Sequence, residues 1–355
     1  MRVKGSDYLV FDKEAGVWTE SPEQIVRDEV EKHHWKHVAV TILKDWRLYL
    51  MLVPMILVFL FWRYFPMYEL LGSFKAKDDI KPVAERLFMG FSNFKTLLLG
   101  TGSQPATSME FWEAMRNTFL LSFYGLCFGF PMPIILALFF NEIRGNVTRS
   151  VLQVMTYLPK FMSTVIMTSL VIMLIKAANN TLGTDPGIVA QLLMRIGLIP
   201  EEVARAGVLN NPDYFRAIYQ VTGIWETAGY DSIVFFAAII AISPTSYEAA
   251  QIDGANKWSQ MRYVVLPSIL STIVIMLITR IGHMLSVGYE KVILLTESNR
   301  GALKTAQVIS TFSWEVKKTS LGIASAAEML NNIVGMLLVI GANTIARKAS
   351  NVSLY

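Results

Sequence analysis

The stretch Ser243 to Pro267, SPTSYEAAQIDGANKWSQMRYVVLP, is a mostly polar island between two long apolar runs. Ser243-Pro244 reads as a helix start: a hydroxyl cap followed by proline at the first helical position, where no amide donor is needed. Thr245 to Ile252 is long enough for two helical turns. Asp253-Gly254 then stops the helix, because glycine takes backbone angles that other residues avoid. Asn256 to Val265 predicts a second short helix, and Pro267 sets how the chain turns into the next apolar segment. A helix–turn–helix on the surface of a membrane protein is a shape that docks into a groove of a soluble partner.

The flanking composition supports that setting. The chain has 355 residues, 53% of them hydrophobic and only 17% charged, with mean hydropathy +0.41; soluble domains carry about 25% charged residues. Several runs approach the length that crosses a bilayer, so the chain reads as an all-α polytopic membrane protein. The runs fall at about 48–65, 111–140, 151–175, 214–242, 268–295 and 321–345, with 243–267 as the loop between the fourth and fifth. Residues 1–45 form an N-terminal segment at the membrane surface, 46–348 the membrane domain and 349–355 a tail. The one cysteine, Cys127, excludes a disulfide framework, and a net charge of +4 does not argue for nucleic acid. Residues 1–40 are polar, with no cleavable signal in view.

Glu23 to Lys44 reads as a helix lying on the membrane, with Val30, His33, His34, Val38 and Ile42 on one side. His33, His34 and His37 invite a metal reading; an interfacial helix whose tryptophan and basic residues sit near the headgroups is the alternative.

Inside the spans, Gly125 and Gly129 make a small-xxx-small face, and Pro131 and Pro133 predict a bend. Lys160 in hydrocarbon must face protein or water, either touching substrate or pairing within the assembly. The loop 177–212 predicts a short amphipathic helix from Ile188 to Ile196. Span 4 carries Trp225-Glu226 and Gly229-Tyr230-Asp231; Glu226 and Asp231 are five apart and need not share a face. Span 5 carries Arg280, His283 and Glu290, and the spacing of Arg280 and His283 puts both on one helix face. Span 6 carries Glu328, Asn331 and Asn332.

Glu248-Ala249-Ala250, followed by Gly254-Ala255 and closed by Leu266-Pro267, resembles the EAA motif of permease subunits in binding-protein-dependent ABC importers. Other phrases carry the same resemblance: Phe65-Pro66-Met67-Tyr68, Arg116-Asn117-Thr118, Pro131-Met132-Pro133-Ile134, Tyr157-Leu158-Pro159 and Gly288-Tyr289-Glu290. From about 45 to 348 the chain is similar to carbohydrate permeases of the maltose-importer type, within a branch taking up complex oligosaccharides, uronate-rich ones included. It departs mildly at Ser310, where the branch usually has an acidic residue.

The resemblance implies six transmembrane helices in the type I ABC importer permease fold, with a cytoplasmic EAA coupling helix. It implies a bacterial cytoplasmic (inner) membrane protein with both termini in the cytoplasm. Lys and Arg counts do not separate the two sides, so orientation rests on the loop. Implied partners are a second permease subunit, two ATP-binding cassette subunits, an extracytoplasmic solute-binding protein and an oligosaccharide. No cofactor is implied on this chain; ATP and Mg belong to the partner ATPases. Coupling falls to Glu248, Ala249, Ala250, Asp253, Gly254, Ala255, Leu266 and Pro267. Substrate-path candidates are Trp225, Tyr230, Arg280, His283, Glu290 and Lys160: aromatics stack on sugar faces, and charged groups bond hydroxyls. Arg280 and His283 suit an anionic sugar such as a uronate, or else an inter-span polar contact.

The chain carries no phosphate-cradling G-x-x-x-x-G-K-[ST], no H-E-x-x-H, no nucleophile elbow and no metal-ligand cluster in the spans, so it reads as a transport subunit and not an enzyme. A permease for a non-sugar solute and a membrane scaffold that moves nothing are the competing readings. A proton-coupled carrier has no need of the EAA loop.

Overall fold

The computed structural model describes residues 9–12, 17–20, 44, 46–76, 81–101, 105–178, 185–296 and 303–350. Contacts divide the chain into two units, Met1–Tyr68 and Glu69–Tyr355. The first holds a hairpin: β1 (Leu9–Asp12) pairs antiparallel with β2 (Val17–Glu20), Leu9 opposite Glu20. Four-residue runs are too short for period-two alternation to stand out in sequence, and the hairpin was not foreseen. Of the expected surface helix over 23–44, all but Lys44 lies outside the described residues.

Helix α1 runs Trp46–Phe74, past the expected end at 65. Its last part is a wide π turn over Leu60–Tyr64 and then a tight 3-10 helix over Phe65–Phe74, which carries the chain through Pro66.

In the second unit, α2 (Ser92–Leu99) precedes α3 (Thr107–Glu142). Pro131 and Pro133 do not break α3. A π turn over Gly125–Gly129, with the Phe130 N–H donating to the Gly125 carbonyl, delivers the chain to Pro131 as the first residue of a new helical stretch. There the missing donor is harmless. The expected third span is not straight. It is α4 (Asn146–Phe161) and α5 (Thr164–Ile175), bent by 100°; Ser163, whose hydroxyl accepts from the Val165 N–H, restarts the helix.

The outer loop folds as α6 (Ile188–Arg195) and α7 (Glu201–Ala206) and leads to the 29-residue α8 (Pro212–Ile240). Next come α9 (Pro244–Ile252), α10 (Lys257–Ser268) and α11 (Leu270–Gly282), the last two bent by 62°. The bend follows Pro267 by two residues, at Ile269. The expected fifth span ends early: residues 283–288 are irregular before α12 (Tyr289–Thr296). Then α13 (Leu303–Ala306), α14 (Ile309–Lys317) and α15 (Leu321–Ser350) complete the unit. Among the described residues four helices are long and apolar enough to cross a membrane, or up to six if each bent pair counts as one span.

Helix α8 is the axis. Its Phe235 and Ile239 pack with Ala137 of α3 and with Val265 and Ile269 at the bend. Higher up, Phe215 packs with Leu121, Val171 and Leu295. At Gly229 the backbones of α8 and α4 nearly touch: a Cβ there would sit 2.1 Å from the Thr156 carbonyl oxygen. Lipid removes the hydrophobic drive between helices, so close packing and polar ties carry the association. Asn117 supplies three such ties. Its Nδ2 donates to the carbonyls of Lys304 (3.0 Å) and Gln307 (3.1 Å), and its Oδ1 accepts from Arg216 Nη2 at 2.9 Å. Thr118 Oγ1 accepts from the Ile309 N–H at 2.9 Å. The Asn117-Thr118 phrase is therefore a clamp on the turn before α14.

Candidate functional site

Two places in the second unit can do work: the hairpin α9–α10 and a charged cavity.

The hairpin is built by local rules. Its turn closes with the Ala255 N–H donating to the Ala250 carbonyl (2.9 Å) and the Gly254 N–H to the Gln251 carbonyl (3.0 Å). That pattern needs a left-handed residue, and Gly254 has φ 76°. Asn256 then caps α10, its Oδ1 accepting from the Ser259 N–H at 2.8 Å, and Gln260 Nε2 returns to the Ala255 carbonyl at 2.9 Å. The hairpin is pinned at its base and free at its face. Tyr247 and Val265 pack into the cluster of Phe235 and Ile239, and Lys257 Nζ reaches Glu142 Oε2, at the end of α3, at 3.4 Å. Burial pushes the Tyr247 hydroxyl above its ordinary pKa of 10.0, and the Glu142 carboxylate pushes the same way. No residue of α9 is buried. Glu248, Ala249, Asp253, Gly254 and Pro267 are exposed and Ala250, Ala255 and Leu266 half-buried. Ile252, Trp258 and Tyr263 add exposed apolar surface.

The cavity consists of three chambers of about 220, 450 and 250 Å³ that meet at Arg280, which lines all of them. Irregular backbone makes the space: non-helical chain at membrane depth is tolerated where it lines a cavity. Lys160 comes from the short turn at the end of α4, Arg280 from the last turn of α11, His283 from the cap that follows, and Glu290 and Lys291 from the start of α12. The break between α11 and α12 is held from the far helices: Asn331 Nδ2 donates to the Leu285 carbonyl at 3.1 Å and Ser310 Oγ to that of Val287 at 2.7 Å. Ser310, where the sequence departs from the branch, thus keeps a backbone tie. Gly125 and Gly129 lie beside Arg280, where a Cβ at either would be in ordinary contact with its Nη2, at 4.0 and 3.9 Å.

Lys160, Arg280 and Glu290 line the 450 Å³ chamber together, and His283 joins Arg280 in the other two. His283 is the cap residue of α11, its N–H still donating to the Thr279 carbonyl at 3.2 Å, three residues on from Arg280. Trp225, 47% exposed, and Tyr230, set edge-on against Phe161 at 5.8 Å, are not among the residues lining these chambers. Two features escaped the sequence reading. Lys291 Nζ pairs with Glu226 Oε2 at 3.0 Å and lies 5.4 Å from the Tyr219 ring centre. Asp231 lines the 250 Å³ chamber with Arg280. The signal for both was charge inside apolar runs, but the partners are far apart in sequence. Among the described residues no group of three or more His, Cys, Asp or Glu could hold a metal ion.

Residues 129–294 match the family described as binding-protein-dependent transport system inner membrane component. Across 315 residues the chain is 33% identical to protein LplB of Bacillus subtilis, covering 88% of this chain and 92% of that one. It is 31% identical to YteP of the same organism, a polygalacturonan/rhamnogalacturonan transport system permease, covering 92% and 95%. In structure it superposes on a chain of a bacterial ABC transporter involved in import of the acidic polysaccharide alginate, with TM-score 0.74, 37% identity and coverage of 88% and 99%.

Proposed function

Because this chain belongs to the family of inner membrane components of binding-protein-dependent transport systems, we propose that it is the permease subunit of an ABC importer for acidic, uronate-containing oligosaccharides. It performs no chemistry of its own. It forms half of the translocation path with a second permease subunit, in the bacterial inner membrane with both termini in the cytoplasm. An extracytoplasmic solute-binding protein delivers the sugar, and two ATP-binding cassette subunits hold ATP and Mg.

The observation that carries this reading is a hairpin pinned at its base to α3 and α8 and bare on its α9 face. A packed helix pair is a stiff lever, and packed interfaces switch between discrete arrangements. Closure of the ATPase pair on ATP tilts the hairpin, and Tyr247, Val265 and Lys257 pass the tilt to α3, α8 and α11. Glu248 meets a basic group of the ATPase, and the small Ala249 and Ala250 allow close approach. For the sugar, the support is Arg280 and Lys160 lining one chamber, together with the polysaccharides that YteP and the alginate importer transport. Arg presents a planar fork that matches a carboxylate, while a cation at membrane depth needs an anion.

The test is the assembled importer in proteoliposomes with its binding protein. Binding protein loaded with an oligouronide should stimulate ATP hydrolysis, and the carboxyl-reduced sugar should not. Glu248→Lys should abolish the stimulation while the subunit still inserts and assembles. Normal stimulated turnover of that variant would refute the coupling role.

A further inference from the structure

The charges around the cavity fall into two sets. Lys291 and Glu226 neutralise each other at 3.0 Å, with side chains only 14% and 15% exposed, and are committed to that contact. Arg280 and Lys160 remain, and neither has a carboxylate at ion-pair distance among the described residues. Asp231 is half-buried on α8. It shares the 250 Å³ chamber with Arg280, while Lys160 and Arg280 share the 450 Å³ chamber with Glu290. A cation held near but not against its counter-ion is balanced yet exchangeable.

We infer that Asp231 is the resident counter-ion of Arg280 in the sugar path: it balances Arg280 while the path is empty, and a substrate carboxylate takes its place. This rests on the acidic-oligosaccharide reading. Two physical requirements are met at once. The empty bundle is spared an uncompensated cation at membrane depth. The arriving sugar must compete with an internal carboxylate, so it is held less tightly than a bare Arg280 would hold it, and a transport site has to release what it binds. Asp231 also contributes specificity: it leaves a neutral sugar no net cationic charge to gain.

The experiment measures binding of an oligouronide, and of its carboxyl-reduced neutral counterpart, to the purified, assembled importer without binding protein. Asp231→Asn should lower the oligouronide Kd by roughly fivefold, within the range that one coupled charge commands, and leave the neutral sugar unchanged. Asp231→Glu should behave as wild type. In an Arg280→Gln background, Asp231→Asn should lose most of its effect. An unchanged oligouronide Kd, or an equal rise for both sugars, would overturn the inference and make Asp231 a structural or hydroxyl-binding group. Should Asp231→Asn fail to assemble, Asp231→Glu decides: the inference requires it to retain wild-type affinity for the oligouronide, and a weakening equal for both sugars sinks it. A wild-type importer that does not distinguish the two sugars removes the acidic-sugar reading and this inference with it. One that distinguishes them while Asp231→Asn shifts neither removes this inference alone.

Discussion

The Glu226–Lys291 pair offers the sharpest test of how the bundle is held. At 3.0 Å and an effective dielectric near 20, the attraction is about 5 kcal/mol before desolvation. Desolvation offsets much of that, but removing one partner strands the other, which in soluble proteins destabilises by roughly 3–5 kcal/mol. In a membrane the unfolded chain also finds polar partners, so we take about 2 kcal/mol as the coupling. Glu226→Gln should then lower the unfolding midpoint of the purified importer by about 5 °C, on the scale of a few degrees per kcal/mol for a chain of this size. Lys291→Gln should do the same, and the double variant should be no worse than either single one. The reversed pair, Glu226→Lys with Lys291→Glu, should recover most of the loss, less the contact with Tyr219. The assay is the fraction of monodisperse complex surviving a heating series. Additive single losses, with coupling below about 0.5 kcal/mol, would show that the two charges are solvated separately and that the reasoning is wrong.

Other outcomes follow from the same geometry. Asn117→Ala removes three hydrogen bonds and leaves the Lys304 and Gln307 carbonyls and the Arg216 side chain short of a partner. A loss of about 2–4 kcal/mol is expected, read as a lower melting midpoint, whereas Asn117→Asp should keep the contact with Arg216. Gly254→Val forces a branched side chain into φ 76°, at roughly 1–2 kcal/mol; it should weaken ATPase stimulation without lowering the amount of inserted protein. Tyr247 has a folded-state pKa raised above the usual 10.0 by burial, with Glu142 adding to it. Its contribution is complete below pH 10 and is lost as pH rises through the folded value. The protection of α9 amides, taken relative to the intrinsic base-catalysed exchange rate, should therefore fall above pH 10 in wild type and stay level in Tyr247→Phe.

Much of the fold was legible. Long apolar runs named the helices, because lipid demands that each segment satisfy its own backbone. The hairpin was legible down to its bend, because Pro244, Asp253-Gly254 and Asn256 act within a few residues of themselves; the expected hydroxyl cap is not made, since Ser243 Oγ meets Thr245 Oγ1 instead of a helix N–H. Local hydrogen bonding leaves a local signature.

The breaks were not legible in this way. Proline alone did not place them: Pro131 opens a helical stretch after a π turn, while α4 and α5 part at Met162-Ser163, past Pro159. The irregular turn at 283–288 carries no proline and exists because Asn331 and Ser310 accept its shape from other helices. Aromatic residues that looked suited to sugar, Trp225 and Tyr230, lie away from the chambers, since which side of α8 faces the cavity depends on where α3 and α4 pack against it. Residue type and spacing by themselves determined the helices, the hairpin and the presence of membrane-depth charge. Only the tertiary structure decided that Lys291 belongs to Glu226 and that Asp231 lines a chamber with Arg280. Such pairings join residues about 50 or more apart in the chain, and nothing local encodes them.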